Sequence, residues 1–162
     1  MKKTITLKLK MSELIYDIQN KTYLTGRSIN NGSSVAHIAH MQANDDDENA
    51  AQILRSITMA TAVLRNRLGE YLDNSETLSD NEILSQEEDI LFTLYMPGNF
   101  NSSVAHTIGE ATHQFIVATA VADWFAITAK GETSDYTLAA GEALKVMEES
   151  LCKRSRPNRV AS

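Results

Sequence analysis

Glycine and proline are scarce in this chain, seven and two among 162 residues. Sheets with many turns draw heavily on both, so the composition favours long helices instead. There is one cysteine, Cys152. No intrachain disulfide can form, and a reducing compartment is compatible. No apolar run reaches the length of a membrane span; the longest, after His113, is interrupted by Asp123. The opening MKKTITLKLKMSEL has lysines but neither a long apolar core nor a small-residue cleavage site, and is not expected to act as a secretory signal. Several chemical signatures are missing too. There is no Gly-x-Ser-x-Gly elbow. The Gly26-Arg27-Ser28 turn is too short for a phosphate-binding loop, and Asp45, Asp46, Asp47 and Glu48 lack the spacing and the glycine of a calcium loop.

What is present is unevenly charged. The net charge is −6, yet Lys153, Arg154, Arg156 and Arg159 crowd the last ten residues. These are four of 15 bases, so residues 1–152 hold eleven bases against 21 acids, a charge of −10. An acidic body argues against general or sequence-specific nucleic-acid binding. The basic tail, 153–162, can meet an acidic neighbour or a phosphate, or simply stand exposed as a frayed terminus.

Hydrophobic periodicity predicts one domain over 1–152, mainly α: a bundle of about four helices with a small two-stranded β element. Thr4 to Lys10 alternates Ile5, Leu7 and Leu9 with Thr6, Lys8 and Lys10, the period of a half-buried strand. Ser12 is placed to cap a helix from Glu13 to about Leu24, with Leu14, Ile15 and Ile18 on one face and Gly26 as its breaker. Ser33 or Ser34 starts a brief helix through His40. Carboxylates at 45–48 open a helix from about Asp46 to Leu72, striped by Ile53, Ile57, Ala60, Leu64 and Leu68. Residues 73–88 are polar and acidic and read as a loop anchored by Leu78, Ile83 and Leu84. Asp89 to Met96 is a second strand, ended by Pro97-Gly98. The two strands most simply pair with each other, in a direction the sequence does not give.

Ser102 to Lys130 is the central helix, capped by Ser102 and closed by Gly131. From Phe115 to Ile127 it is apolar nearly all round, so other helices must surround it. A last helix, about Ser134 to Lys153, turns Leu138, Leu144, Met147 and Leu151 inward. Ser-Ser-Val-Ala-His stands at both 33–37 and 102–106, but the flanking residues differ, and the two copies read as similar helix starts.

Two constellations invite a chemical reading. Glu110 and His113, at i and i+3, are half of the ligand pattern of a di-iron helix bundle, with His37, His40 and His106 as further imidazoles. The matching second Glu-x-x-His is missing, which favours ordinary surface residues and no metal or cofactor. Trp124 and Phe125 lie in the apolar run and read as core or subunit-contact residues; no basic groove accompanies them as a base-stacking platform would need.

Three phrases, Asn20-Lys-Thr-Tyr-Leu-Thr-Gly-Arg27, Met41-Gln-Ala-Asn-Asp-Asp-Asp-Glu-Asn-Ala50 and Ala122-Asp-Trp-Phe125, together resemble uncharacterised proteins encoded in tailed-phage and prophage structural gene clusters of gut anaerobes. The resemblance covers most of the chain and carries no catalytic motif. It implies a non-enzymatic virion component, similar to a head–tail connector or neck adaptor, assembled in the bacterial host cytoplasm. Its partners would be a homo-oligomeric ring and the portal, connector or tail proteins of the same particle. The loop at 73–88 and the tail from Cys152 would grip the neighbouring ring, with Lys153, Arg154, Arg156, Arg159, Trp124 and Phe125 as assembly contacts. The alternative is a metal-binding helix-bundle protein or enzyme using Glu110 and His113.

Overall fold

The computed structural model describes residues 2–28, 47–73 and 81–157. Over these residues the chain runs β1 (Lys3–Leu9), α1 (Met11–Ser28), α2 (Asp47–Arg67), β2 (Ile90–Met96), α3 (Ala105–Thr128) and α4 (Thr133–Leu151). Short 3-10 turns at Ser102–Val104 and Lys130–Glu132 precede α3 and α4. The architecture is the expected mainly helical bundle with one small sheet. The predicted helix over 33–40, Leu78 and the acidic residues Asp45 and Asp46 lie outside the described residues.

The sheet is an antiparallel ribbon, β1 against β2, in a register that pairs Lys3 with Met96, Thr6 with Thr93 and Leu9 with Ile90. Ile5, Leu7 and Leu9 point inward together with Ile90, Phe92, Leu94 and Met96, while Thr4, Thr6 and Lys8 face solvent beside Leu91, Thr93 and Tyr95. The alternation in sequence thus becomes one wetted face and one packed face. A two-stranded ribbon is marginal alone, and here its inner face is absorbed into the core of the helices. Over Phe92, the guanidinium of Arg65 sits 5.1 Å from the ring centroid, placing over the aromatic face a cation on an exposed residue.

Helix α3 is the axis of the bundle. Ile108, Phe115, Ile116, Val117, Val121, Trp124 and Phe125 are buried on it, on more than one face, and α1, α2 and α4 pack around it. Small side chains at Ala111, Ala118, Ala120 and Ala122 are buried too; Ala126 is exposed. Its buried hydroxyl, Thr112, donates to the Gly109 carbonyl at 2.8 Å, so no polar atom is stranded there. On α2 the stripe Ile53, Ile57, Ala60, Leu64 and Leu68 is buried as periodicity predicts. Helix α1 is tied to α4 by the hydroxyls of Thr25 and Tyr136, and the Tyr136 ring lies 5.7 Å from that of Phe125.

Five local expectations give way. Gly26 does not break α1; it is buried inside a helix that continues to Ser28. Met11, Leu14, Ile18, Thr22 and Gly26 form one inward stripe, and its packing outweighs the roughly 1 kcal/mol that a helical glycine costs. Ser12 is not the cap of α1, which begins one residue earlier. The free N–H of Met11 is taken from across the ribbon, by Asp89 Oδ1 at 3.1 Å. Ser102 is not the cap of the central segment either: the Asn101 side chain accepts from Ser103 N at 3.1 Å. Gly131 does not close that helix, which stops at Thr128 because Ala129 is extended. Leu138 is 67% exposed, since the inward face of α4 runs through Ala140, Met147 and Leu151 instead.

The described start of the tail, residues 153–155, is held against the fold. Pro97 to Phe100 makes the turn that ends β2, and the backbone then pairs with the segment after α4. Ser155 N donates to Asn99 O at 2.7 Å and Asn101 N to Lys153 O at 3.1 Å. Phe100, fully buried, bridges Arg154.

Phe125→Ala should cost about 3–5 kcal/mol of unfolding free energy through the cavity it leaves, whereas Leu138→Ala should stay within about 0.5 kcal/mol of wild type. Urea unfolding followed by circular dichroism checks both, and a large loss at Leu138 would contradict the exposed placement. By the same assay Asp89→Ala should cost roughly 0.5–2 kcal/mol as a lost cap, and Ser12→Ala much less.

Candidate interaction site

The ribbon leaves its two edges in different states. Beside β2, Tyr95 N donates to Tyr71 O at 2.8 Å and Leu72 bridges Leu94, so that edge is covered. Beside β1, among the described residues, there is no further strand. Alternate residues of an antiparallel strand turn their N–H and C=O away from the partner. Among the described residues, the outer edge of β1 is therefore a row of backbone donors and acceptors that no strand pairs, the kind of edge another chain can join.

That edge forms one wall of a groove of about 410 Å³. The strand contributes Ile5 through Leu9, followed by Lys10 and then Glu13 at the start of α1. The opposite wall is one face of α3: Ala105, His106, Gly109, Glu110 and His113. Helical spacing puts these positions on one side, because 106, 109, 110 and 113 recur at three and four residues. Gly109 brings α3 close to the strand; a Cβ there would stand 3.9 Å from Leu7 Cδ2. Methyl contact is tolerable at that distance, but a larger side chain would enter the groove.

The ionisable groups of the helix wall pair off instead of converging. His113 Nε2 lies 2.6 Å from Asp17 Oδ2 on α1. A carboxylate only accepts, so the imidazole N–H donates. The side chains are 15% and 35% exposed, which makes this a half-sheltered tie between α1 and α3. His106 and Glu110, 3.8 Å apart and far more exposed, are worth little. Glu110 and His113 thus look to different partners. Among the described residues no three His, Cys, Asp or Glu side chains gather as a metal site requires; His37 and His40 lie outside them. Among the described residues no serine or cysteine lines the groove; its polar side chains are those of Thr6, Lys8, Lys10, Glu13, His106, Glu110 and His113.

The other sequence candidates are scattered. Phe125 is fully buried and Trp124 nearly so, which places both in this chain's own core and not on a face open to a neighbour. Arg154 donates to the Leu151 and Lys153 carbonyls at 2.8 and 3.1 Å, so its guanidinium finishes α4. Lys153 and Arg156 are exposed, as is the Cys152 thiol. Arg159 lies outside the described residues. Within the loop at 73–88, Ile83 and Leu84 do pack on the core, Leu84 N donates to Thr58 Oγ1 at 3.1 Å, and Arg55 reaches Asn81 O at 2.8 Å. This half of the loop is fastened down on α2.

Sequence reasoning missed the open edge and the Asp17–His113 pair. The first was implicit: two strands make two edges, and the loop residues could cover one. The second had no local signal, since the two residues are 96 apart.

Comparison with protein families, with characterised proteins and with solved structures gave no match. No helix among the described residues is long and apolar enough to cross a membrane.

Asp17→Asn and His113→Ala should each lower stability by roughly 1 kcal/mol, with a coupling of similar size between them. A double-mutant cycle in urea measures this; additive losses would show that the contact contributes nothing.

Proposed function

We propose that the chain is a non-enzymatic structural protein of a tailed phage or prophage particle, a ring-forming component of the head–tail connector or neck type. The observation that carries the assembly reading is the set of large apolar side chains on outward helix faces. Tyr16, Tyr23 and Leu24 lie on α1 with Asn20 and Arg27, at positions that recur every three or four residues, and Tyr16 is 65% exposed. Met59, Ala62 and Val63 form a second exposed stripe on α2. Tyrosine and arginine are enriched where proteins meet. A closed ring needs two different surfaces, each met by the other on the next subunit, and α1 and α2 supply candidates for both. The particle reading draws on the three phrases that resemble phage structural proteins. The first of them, Asn20 to Arg27, includes the exposed Tyr23, Leu24 and Arg27. Lys153 and Arg156 remain open for an acidic neighbour.

Light scattering or native mass spectrometry of the full chain should give a multi-subunit mass, alone or on a ring of a neighbouring virion protein. A Tyr16→Glu/Tyr23→Glu variant should lower that mass with its helical circular dichroism unchanged. A strict monomer that also fails to join neighbouring particle proteins would refute the proposal.

A further inference from the structure

The open edge of β1 has a definite polarity. Residues 2–10, KKTITLKLK, carry four lysines and no acid. Lys3 is spent, since its Nζ donates to Phe100 O at 2.9 Å. Lys8 and Lys10 are exposed on the strand side of the groove. Lys8 has Asp89 at 3.7 Å, a loose pairing of two solvated groups that leaves its donors largely free. The helix side has the opposite sign, with Glu13 and Glu110 among its lining residues and His106 beside Glu110.

We infer that this groove binds an extended acidic segment of a partner protein, which adds as a third strand on β1 and lies between β1 and α3. Three observations converge on that occupant. The β1 backbone groups that turn away from β2 can pair with an incoming strand, the source of affinity in strand addition. The cleft between strand and helix holds about 410 Å³, and position 109 on its helix wall has no side chain to narrow it. The charges of its walls select the incoming sequence. Side chains of an added strand alternate, and those on the outer face stand beside Thr4, Thr6, Lys8 and Lys10, where a carboxylate is favoured over a like charge. Those on the inner face meet Leu7, Gly109 and Glu110, where small or apolar uncharged residues fit and a carboxylate is opposed. The signature is an alternation of acidic and small apolar residues over about five positions.

This inference concerns the ribbon edge and not the helix faces of α1 and α2, so it holds whether or not copies of the chain assemble. The probe is a fluorescent peptide with glutamate at alternate positions and alanine or valine between. Fluorescence anisotropy with the full chain should show saturable binding. A peptide with lysine for every glutamate should bind at least tenfold more weakly, and one with proline at alternate positions should not bind. Lys8→Glu/Lys10→Glu should weaken the acidic peptide at least tenfold. Gly109→Leu should abolish binding, while Gly109→Ala retains it and both keep the wild-type circular dichroism. If Gly109→Leu fails to fold, amide exchange in the wild-type protein decides, because bound peptide should protect amides within Ile5–Leu9. Equal binding of the lysine peptide, binding untouched by the lysine reversal, or no protection of β1 would overturn the proposal. So would a dimer of the chain that charge reversal at Lys8 and Lys10 dissolves, since the groove would then belong to a second copy.

Discussion

Helix α3 has almost no face that water can wet. From Phe115 to Phe125 its side chains are buried in nearly every direction, and each large one is worth about 1.5–3 kcal/mol only if something covers it. That requirement organises the molecule. Helices α1, α2 and α4 each present one apolar stripe to it, and the inner face of the ribbon joins the same core. The alanines among its buried positions let neighbours approach closely, and the buried Thr112 is satisfied within the helix itself. Because α3 is surrounded over most of its middle, it meets solvent chiefly near its two ends: at Ala126 and Ile127, and at its start, where Ala105, His106, Gly109, Glu110 and His113 look out across the groove.

The ribbon does a second job at that same end. It seats β1 beside α3, with the β2 edge met by Tyr71 and Leu72 and, among the described residues, no strand on the β1 edge. Asp89, just before β2, holds the first turn of α1 and stands near Lys8. Asp17 on α1 holds His113 on α3. Helix α1 is thus tied by one contact to the ribbon and by another to α3, the two elements that form the walls of the groove.

How far the sequence disclosed this depends on range. Periodic features were legible: the alternation in Thr4 to Lys10, the stripe from Ile53 to Leu68, and the all-round apolarity after Phe115 each matched their burial. Features set by distant residues were not. Ser12 has the right chemistry for a cap, but Asp89, 78 positions from Met11, takes the place. Gly26 has the local character of a breaker, but it falls on the inward stripe of α1. Leu138 is apolar, but α4 turns a different face to α3. The candidate site shows the same division. Glu110 and His113 share a helix face, as their spacing requires, and only tertiary structure reveals that each answers to a different neighbour.

Phe100 marks where both ends of the described chain come together. Lys3 donates to its carbonyl, and residues 153–155 pair with the backbone on either side of it. The N-terminal strand and the segment after α4 are therefore neighbours, joined through a backbone turn that neither of them owns. The two segments share one anchor, so that loosening the turn at Phe100 would release both the start of the ribbon and the segment that follows α4.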